Sequence, residues 1–89
     1  MNTASHIQIL DAVTAERWRQ DTLLAEAKIP WNCADPEVFG AHKLAVLAEE
    51  FGEVARALLE GNGLRRELVE VAAVAVAWAE SLPHELEVD

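Results

Sequence analysis

The chain carries a single cysteine, Cys33, in 89 residues. No internal disulfide can staple it, which suits a reducing, cytoplasmic setting. Basic residues are also scarce: 7 Lys and Arg face 16 Asp and Glu, a formal net charge of −9. That sign opposes contact with the phosphate backbone of nucleic acid or with an anionic membrane surface. The longest uncharged apolar run, Val71 to Ala79, is about half of the ~20 residues that a membrane span needs. The opening Met-Asn-Thr-Ala-Ser-His lacks the basic start and apolar stretch of a signal peptide. With 4 glycines, 3 prolines and 52% apolar residues, a disordered, collagen-like or low-complexity chain is excluded. A single domain over residues 1–89 remains, short enough to hide only ~60–65% of its unfolded surface. Oligomerisation or bound metal is expected to supplement so small a core.

No stretch alternates with a period of two; Ala, Leu and Glu dominate instead, so the expected fold class is all-α, a compact bundle of three main helices completed by dimerisation. Segment one runs from Ser5, with Gln8 completing a capping box, to about Ala27, with a break near Asp11 to Thr14 conceivable. Segment two opens with Asp35 as N-cap, Pro36 at the first helical position and Glu37 in the first turn, and ends at Gly61. Its apolar residues Leu44, Leu47, Ala48, Phe51, Val54, Ala55, Leu58 and Leu59 recur at three- and four-residue steps. Segment three runs from Leu64 to Leu82 and stops before Pro83. Between Leu68 and Ala79 only Glu70 is polar, so a second subunit is expected to cover part of this helix.

The chemistry-bearing residues are carboxylates. Glu50 and Glu53 are three apart, as are Glu67 and Glu70, so each pair projects from one helical face. The Gly61-Asn62-Gly63 connection makes segments two and three antiparallel neighbours. At ~1.5 Å rise per residue, Glu53 and Glu70 both stand roughly 10–12 Å from that turn. Glu67 and Glu70 share a side with Val74 and Trp78, which forces partial burial. Carboxylates that converge and lose hydration must take up protons or bind cations, and an all-oxygen ligand set suits Mg²⁺ or Mn²⁺.

Glu49-Glu50-x-x-Glu53 followed by Glu67-x-x-Glu70 resembles the Glu-Glu-x-x-Glu and Glu-x-x-Asp signature of the MazG-like all-α nucleoside triphosphate pyrophosphohydrolases. The text around both motifs, residues 47–55 and 67–73, is similar as well, and Glu16-Arg17-Trp18-Arg19-Gln20 is similar to a helix before the motif in phage-type members. The resemblance implies Mg²⁺-dependent cleavage of an NTP or dNTP to the monophosphate and pyrophosphate. It implies Glu50, Glu53, Glu67 and Glu70 as metal ligands, with Glu49 as an additional ligand or an aid in orienting water. Glu70 stands where the signature has Asp, and a dimer or tetramer would complete the pocket. Two other readings compete: a noncatalytic helical interaction protein, and an enzyme like phosphoribosyl-ATP pyrophosphohydrolase.

Among the remaining residues, Trp31 on the loop before segment two is placed to stack on a nucleobase or to pack that loop. Lys43, Arg56, Arg65 and Arg66 are candidates for neutralising triphosphate charge, Lys43 and Arg66 foremost. Trp18 and Trp78 at helical positions fit core or subunit contacts. His6, His42 and His84 match no zinc spacing, and Cys33 has no paired base.

Overall fold

The computed structural model describes residues 3–83. Among them every regular element is a helix: α1 (Thr3–Ala25), α2 (Gly40–Glu60) and α3 (Leu64–Glu80). His84 lies outside the described residues. None of the three helices is long and apolar enough to cross a membrane.

Local chemistry sets each boundary. α2 stops where Gly61 turns left-handed (φ 78°) and its N–H donates to the Ala57 carbonyl at 2.9 Å. Gly63 repeats that conformation before α3. Two left-handed residues in a three-residue turn favour glycine, which has no Cβ to clash. The turn folds α3 back antiparallel to α2.

α1 is unbroken through Asp11–Thr14 and ends at Ala25, two residues before the expected Ala27. Ala27 instead adopts φ 58°. Its N–H donates to the Leu24 carbonyl and that of Lys28 to the Leu23 carbonyl, a Schellman closure with alanine where glycine is usual.

The start of α2 departs further from expectation. Asp35 does cap, its Oδ1 accepting the Glu37 N–H at 2.9 Å. That turn, however, ends at Phe39, whose extended backbone (ψ 146°) precedes the first helical residue, Gly40. A cap orders one turn, and propagation needs a packed face. Pro36, Glu37 and Phe39 are all exposed, and burial resumes only at Lys43. α3 likewise closes at Glu80 rather than Leu82, because the Ser81 hydroxyl turns back to the Trp78 carbonyl at 2.6 Å.

α3 lies between the other two helices, and α1 and α2 make no contact with each other. Ile9 shares a groove with Leu64 and Leu68 at the start of α3, and Arg17 reaches Glu80 at its end, so α1 and α3 run the same way. The core follows that middle helix: Ala73 and Ala77 are fully buried, and Val74 nearly so. Small residues there let both neighbours approach closely. The middle of α3 is thus covered from within the chain, while Leu68, Ala75, Val76 and Ala79 stay exposed on the same helix.

Apolar exposure is more extensive on α2. Leu47 and Val54 are half-buried, but Leu44, Ala48, Phe51, Ala55 and Leu58 stand in solvent at alternating four- and three-residue steps. Phe51 is 58% exposed and Leu58 63%. Trp18, on α1, is 70% exposed and takes no part in the core of this chain, whereas Trp78 packs against it.

Candidate functional site

Because α1 and α2 flank α3 without meeting, a cleft of about 400 Å³ opens between them. Its floor is Glu70 and Val74 of α3; Glu16, Arg19, Gln20 and Leu23 of α1 form one wall, and Val46 and Glu50 of α2 the other. Residues 29–33 close one end with Trp31 and Cys33. Asn32 holds that segment in place: its amide donates to Asp21 Oδ1 at 3.0 Å, and its Oδ1 accepts the Ala34 N–H at 3.0 Å. Trp31 is thereby fixed beside the cleft with its ring 6.4 Å from that of His42, while His42 also lies edge-on to Phe39. The Cys33 thiol is buried, and burial pushes its pKa up, the opposite of a reactive thiolate.

Two of the lining residues, Glu50 and Glu70, meet a third carboxylate, Glu67. One oxygen each from Glu50, Glu67 and Glu70 lies within 4.8 Å of the others. Glu50 Oε2 and Glu67 Oε2 are shielded from solvent and lack any hydrogen-bond partner among the described residues. Loss of hydration first, then the charges of Glu70 and Glu67, push Glu50 up to about 7. Glu67 also moves upward, for loss of hydration and then for its proximity to Glu70.

The other expected site residues are distributed less uniformly. Glu53 stands with its carboxylate 3.8 Å from the Arg56 guanidinium, close enough that its charge still raises Glu50 and Glu67. Glu49 is exposed and outside the gathered set. Arg66 lies at the cluster, its Nε 3.4 Å from Glu70 Oε1. Lys43, expected at the substrate, is instead 2% exposed and absent from the cleft lining. Its ammonium donates to the Ser81 hydroxyl at 2.7 Å, pinning the start of α2 to the end of α3.

Three residues of α1 gain importance that spacing alone did not reveal. Glu16 and Arg19 line the cleft and are joined by two hydrogen bonds of 2.6 and 2.8 Å. That pair holds Glu16 below the usual carboxylate range. Arg17 is buried and binds Glu80 at 2.7 Å, Asp21 at 3.1 Å and Gln20 at 3.0 Å. The i,i+3 and i,i+4 pairs were visible in the sequence; the Glu80 contact, 63 residues away, was not.

No protein-family model, no curated protein and no solved structure matches this chain.

Proposed function

We propose that the chain is a divalent-cation-dependent nucleoside triphosphate pyrophosphohydrolase of the MazG-like kind, acting on an NTP or dNTP. The observation that carries this reading is the meeting of Glu50, Glu67 and Glu70 within 4.8 Å, two of them, Glu50 and Glu70, lining an apolar cleft. Two of those carboxylates each keep a shielded oxygen with no internal partner among the described residues. The donor set fits Mg²⁺ or Mn²⁺. It is all oxygen and anionic, and small side-chain rotations bring 4.8 Å separations to the ~3–4 Å spacing of octahedral ligands at ~2.0–2.1 Å.

In this reading Glu50, Glu67 and Glu70 hold the cation, and Glu53 joins them from one turn further along α2. When bound, the cation would neutralise phosphate charge and lower the pKa of the attacking water. The chain's own contribution is positional. Trp31 and the apolar wall of Leu23, Val46 and Val74 accept the base and exclude water, which sets the phosphates against the carboxylates. Water adds to one phosphorus as the bond bridging the α and β phosphates breaks, giving monophosphate and pyrophosphate. Lys43 has no part in this, and Glu49 is left in solvent.

The same reading includes a homodimer joined through α2. Its exposed band at Leu44, Ala48, Phe51, Ala55 and Leu58 carries no charge in a chain of net charge −9. A second copy presents the same neutral band and meets no repulsion there. Phe51→Glu with Leu58→Glu is expected to convert the dimer to a 9.8 kDa monomer in sedimentation.

The test is a panel of NTPs, dNTPs and phosphoribosyl-ATP with Mg²⁺ or Mn²⁺, following monophosphate and pyrophosphate. Metal-dependent release from at least one nucleotide is expected, reduced at least ~100-fold by Glu67→Gln. No release from any of them would overturn the reading in favour of an interaction protein.

A further inference from the structure

The segment that closes one end of the cleft is tied to α1 through one side-chain oxygen. Asp21 Oδ1 accepts from Arg17 Nη1 at 3.1 Å and from the Asn32 amide at 3.0 Å. The first donor lies one turn back on the same helix, and the second belongs to residues 29–33, which bring Trp31 and Cys33 to the cleft. Asn32 is 8% exposed, and both ends of its side chain are engaged, the amide at Asp21 and Oδ1 at the Ala34 N–H. A second contact of that amide, to the Gln20 carbonyl, is long at 3.5 Å. The Trp31 ring makes contacts of another kind, packing against the cluster of Cys33, Val74 and Ala77 and lying 6.4 Å from the His42 ring. Apolar contact has no preferred direction, whereas hydrogen bonds weaken steeply with angle, so the direction of this segment is set at Asn32. Behind Asp21 the hold continues. Buried Arg17 reaches Glu80 on α3 at 2.7 Å, so the Asp21 carboxylate is itself oriented by a fixed guanidinium. Four side chains, Glu80, Arg17, Asp21 and Asn32, thus run from α3 through α1 to the end of the cleft. Asp21 itself is exposed and does not line the cleft.

We propose that Asp21 is a positioning residue for nucleotide binding: through Asn32 it sets where Trp31 stands, and thereby how well the cleft holds a base. Its part in binding rests on the pyrophosphohydrolase reading, whereas the placement of Trp31 does not. Asp21 touches neither base nor phosphate. Its effect falls on affinity, because stacking on a base remote from the reacting phosphorus is equal in the ground and transition states, and its loss raises KM while leaving kcat in place. The acceptor oxygen matters here more than the charge. An amide at this position still offers one oxygen to both Arg17 and Asn32, giving up only the 3.3 Å contact between Arg17 Nη2 and Asp21 Oδ2.

The position of Trp31 is read by fluorine NMR of protein labelled with 5-fluorotryptophan. Its resonance is assigned by its loss in Trp31→Phe, and that of Trp78, packed on the core, reports an intact fold. In Asp21→Ala the Trp31 resonance is expected to move toward its unfolded position while that of Trp78 stays. Asn32→Ala, which cuts the same tie from the other side, is expected to displace it alike and decides the matter if Asp21→Ala does not fold. Asp21→Asn leaves it in place. So does Glu80→Ala, which removes an ion pair from the same network without touching the tie, and so separates positioning from general loss of stability. With the best nucleotide of the panel and saturating Mg²⁺, Asp21→Ala is expected to raise KM ~10-fold, about the worth of one base–aromatic stack, with kcat within ~2-fold. An unmoved Trp31 resonance in folded Asp21→Ala or Asn32→Ala, an equal displacement in Asp21→Asn or Glu80→Ala, or a displaced Trp31 with unchanged KM would overturn the proposal. Absence of turnover in wild type would sink the enzyme reading alone, and the Trp31 resonance would still decide the placement.

Discussion

Two clusters of charge flank α3, and they are built on opposite principles. Around Arg17 every charge is answered: the buried guanidinium meets Glu80, Asp21 and Gln20 through five hydrogen bonds of 2.7–3.4 Å. Hydrogen bonding to Glu80 more than offsets the loss of hydration, so the Arg17 cation is favoured. Around Glu50 the carboxylates outnumber the one cation in contact with them, Arg66 at 3.4 Å from Glu70. Three carboxylates approach within 4.8 Å, two of their oxygens are shielded without a partner among the described residues, and Glu50 is pushed up to about 7. The first arrangement stabilises the fold by itself. The second costs stability until a proton or cation arrives.

The comparison breaks most visibly at Arg17. Arg17→Met removes the cation from Glu80 and leaves Asp21 with only the Asn32 amide, and is expected to cost about 2–3 kcal/mol, a fall in Tm of ~10 °C or more. The metal response should survive in the folded fraction. A Tm within ~2 °C of wild type would show that the Arg17 network contributes little.

The opposite sign is expected at Glu50. Its folded-state carboxyl titrates near 7 against an ordinary 4.5, so between those values the native chain holds a proton that the unfolded chain has lost. Stability without metal therefore falls as pH rises from about 4.5 to 7 and levels off above. Discounted for partial exposure, removing the charge with Glu50→Gln should stabilise the metal-free protein by ~1 kcal/mol at pH 8, about 4–8 °C in Tm. At pH 4.5 the two proteins should melt together. A destabilised Glu50→Gln at pH 8 would mean that the cluster is not strained.

The smallest effect concerns backbone rather than charge. Ala27 closes α1 at φ 58°, a conformation that costs a Cβ-bearing residue about 1 kcal/mol or more. Ala27→Gly is expected to raise stability by ~0.5–1 kcal/mol by thermal melting, with no change in metal binding. A lower Tm would show that the left-handed turn is not the source of strain.

What the sequence revealed depended on range. The double-glycine turn and the three-residue spacing of each Glu pair are local, and helical rise placed Glu53 level with Glu70; the structure gathers Glu50, not Glu53, with Glu67 and Glu70. The capping signal at Asp35 was also real, yet whether a turn continues depends on packing that comes from α3. The stripe on α2 announced a buried face without saying what buries it; only Leu47 and Val54 turn partly inward. Lys43 looked like a free cation because its hydroxyl partner, Ser81, lies 38 residues on. Glu49 and Glu50, adjacent in sequence, differ by ~100° around the helix, and that angle leaves one in solvent and the other in the cluster.

The central claim is that Glu50, Glu67 and Glu70 form a cation site held in readiness by mutual repulsion. Calorimetric titration of Mn²⁺ or Mg²⁺ into wild type and into Glu50→Gln with Glu67→Gln, at pH 6 and pH 8, addresses it directly. Wild type should bind, more tightly at pH 8 than at pH 6 because the cation displaces the proton that Glu50 holds below about pH 7. The double variant should stay folded and show no binding heat. Equal binding by the double variant, or no binding by wild type at pH 8, would contradict the account.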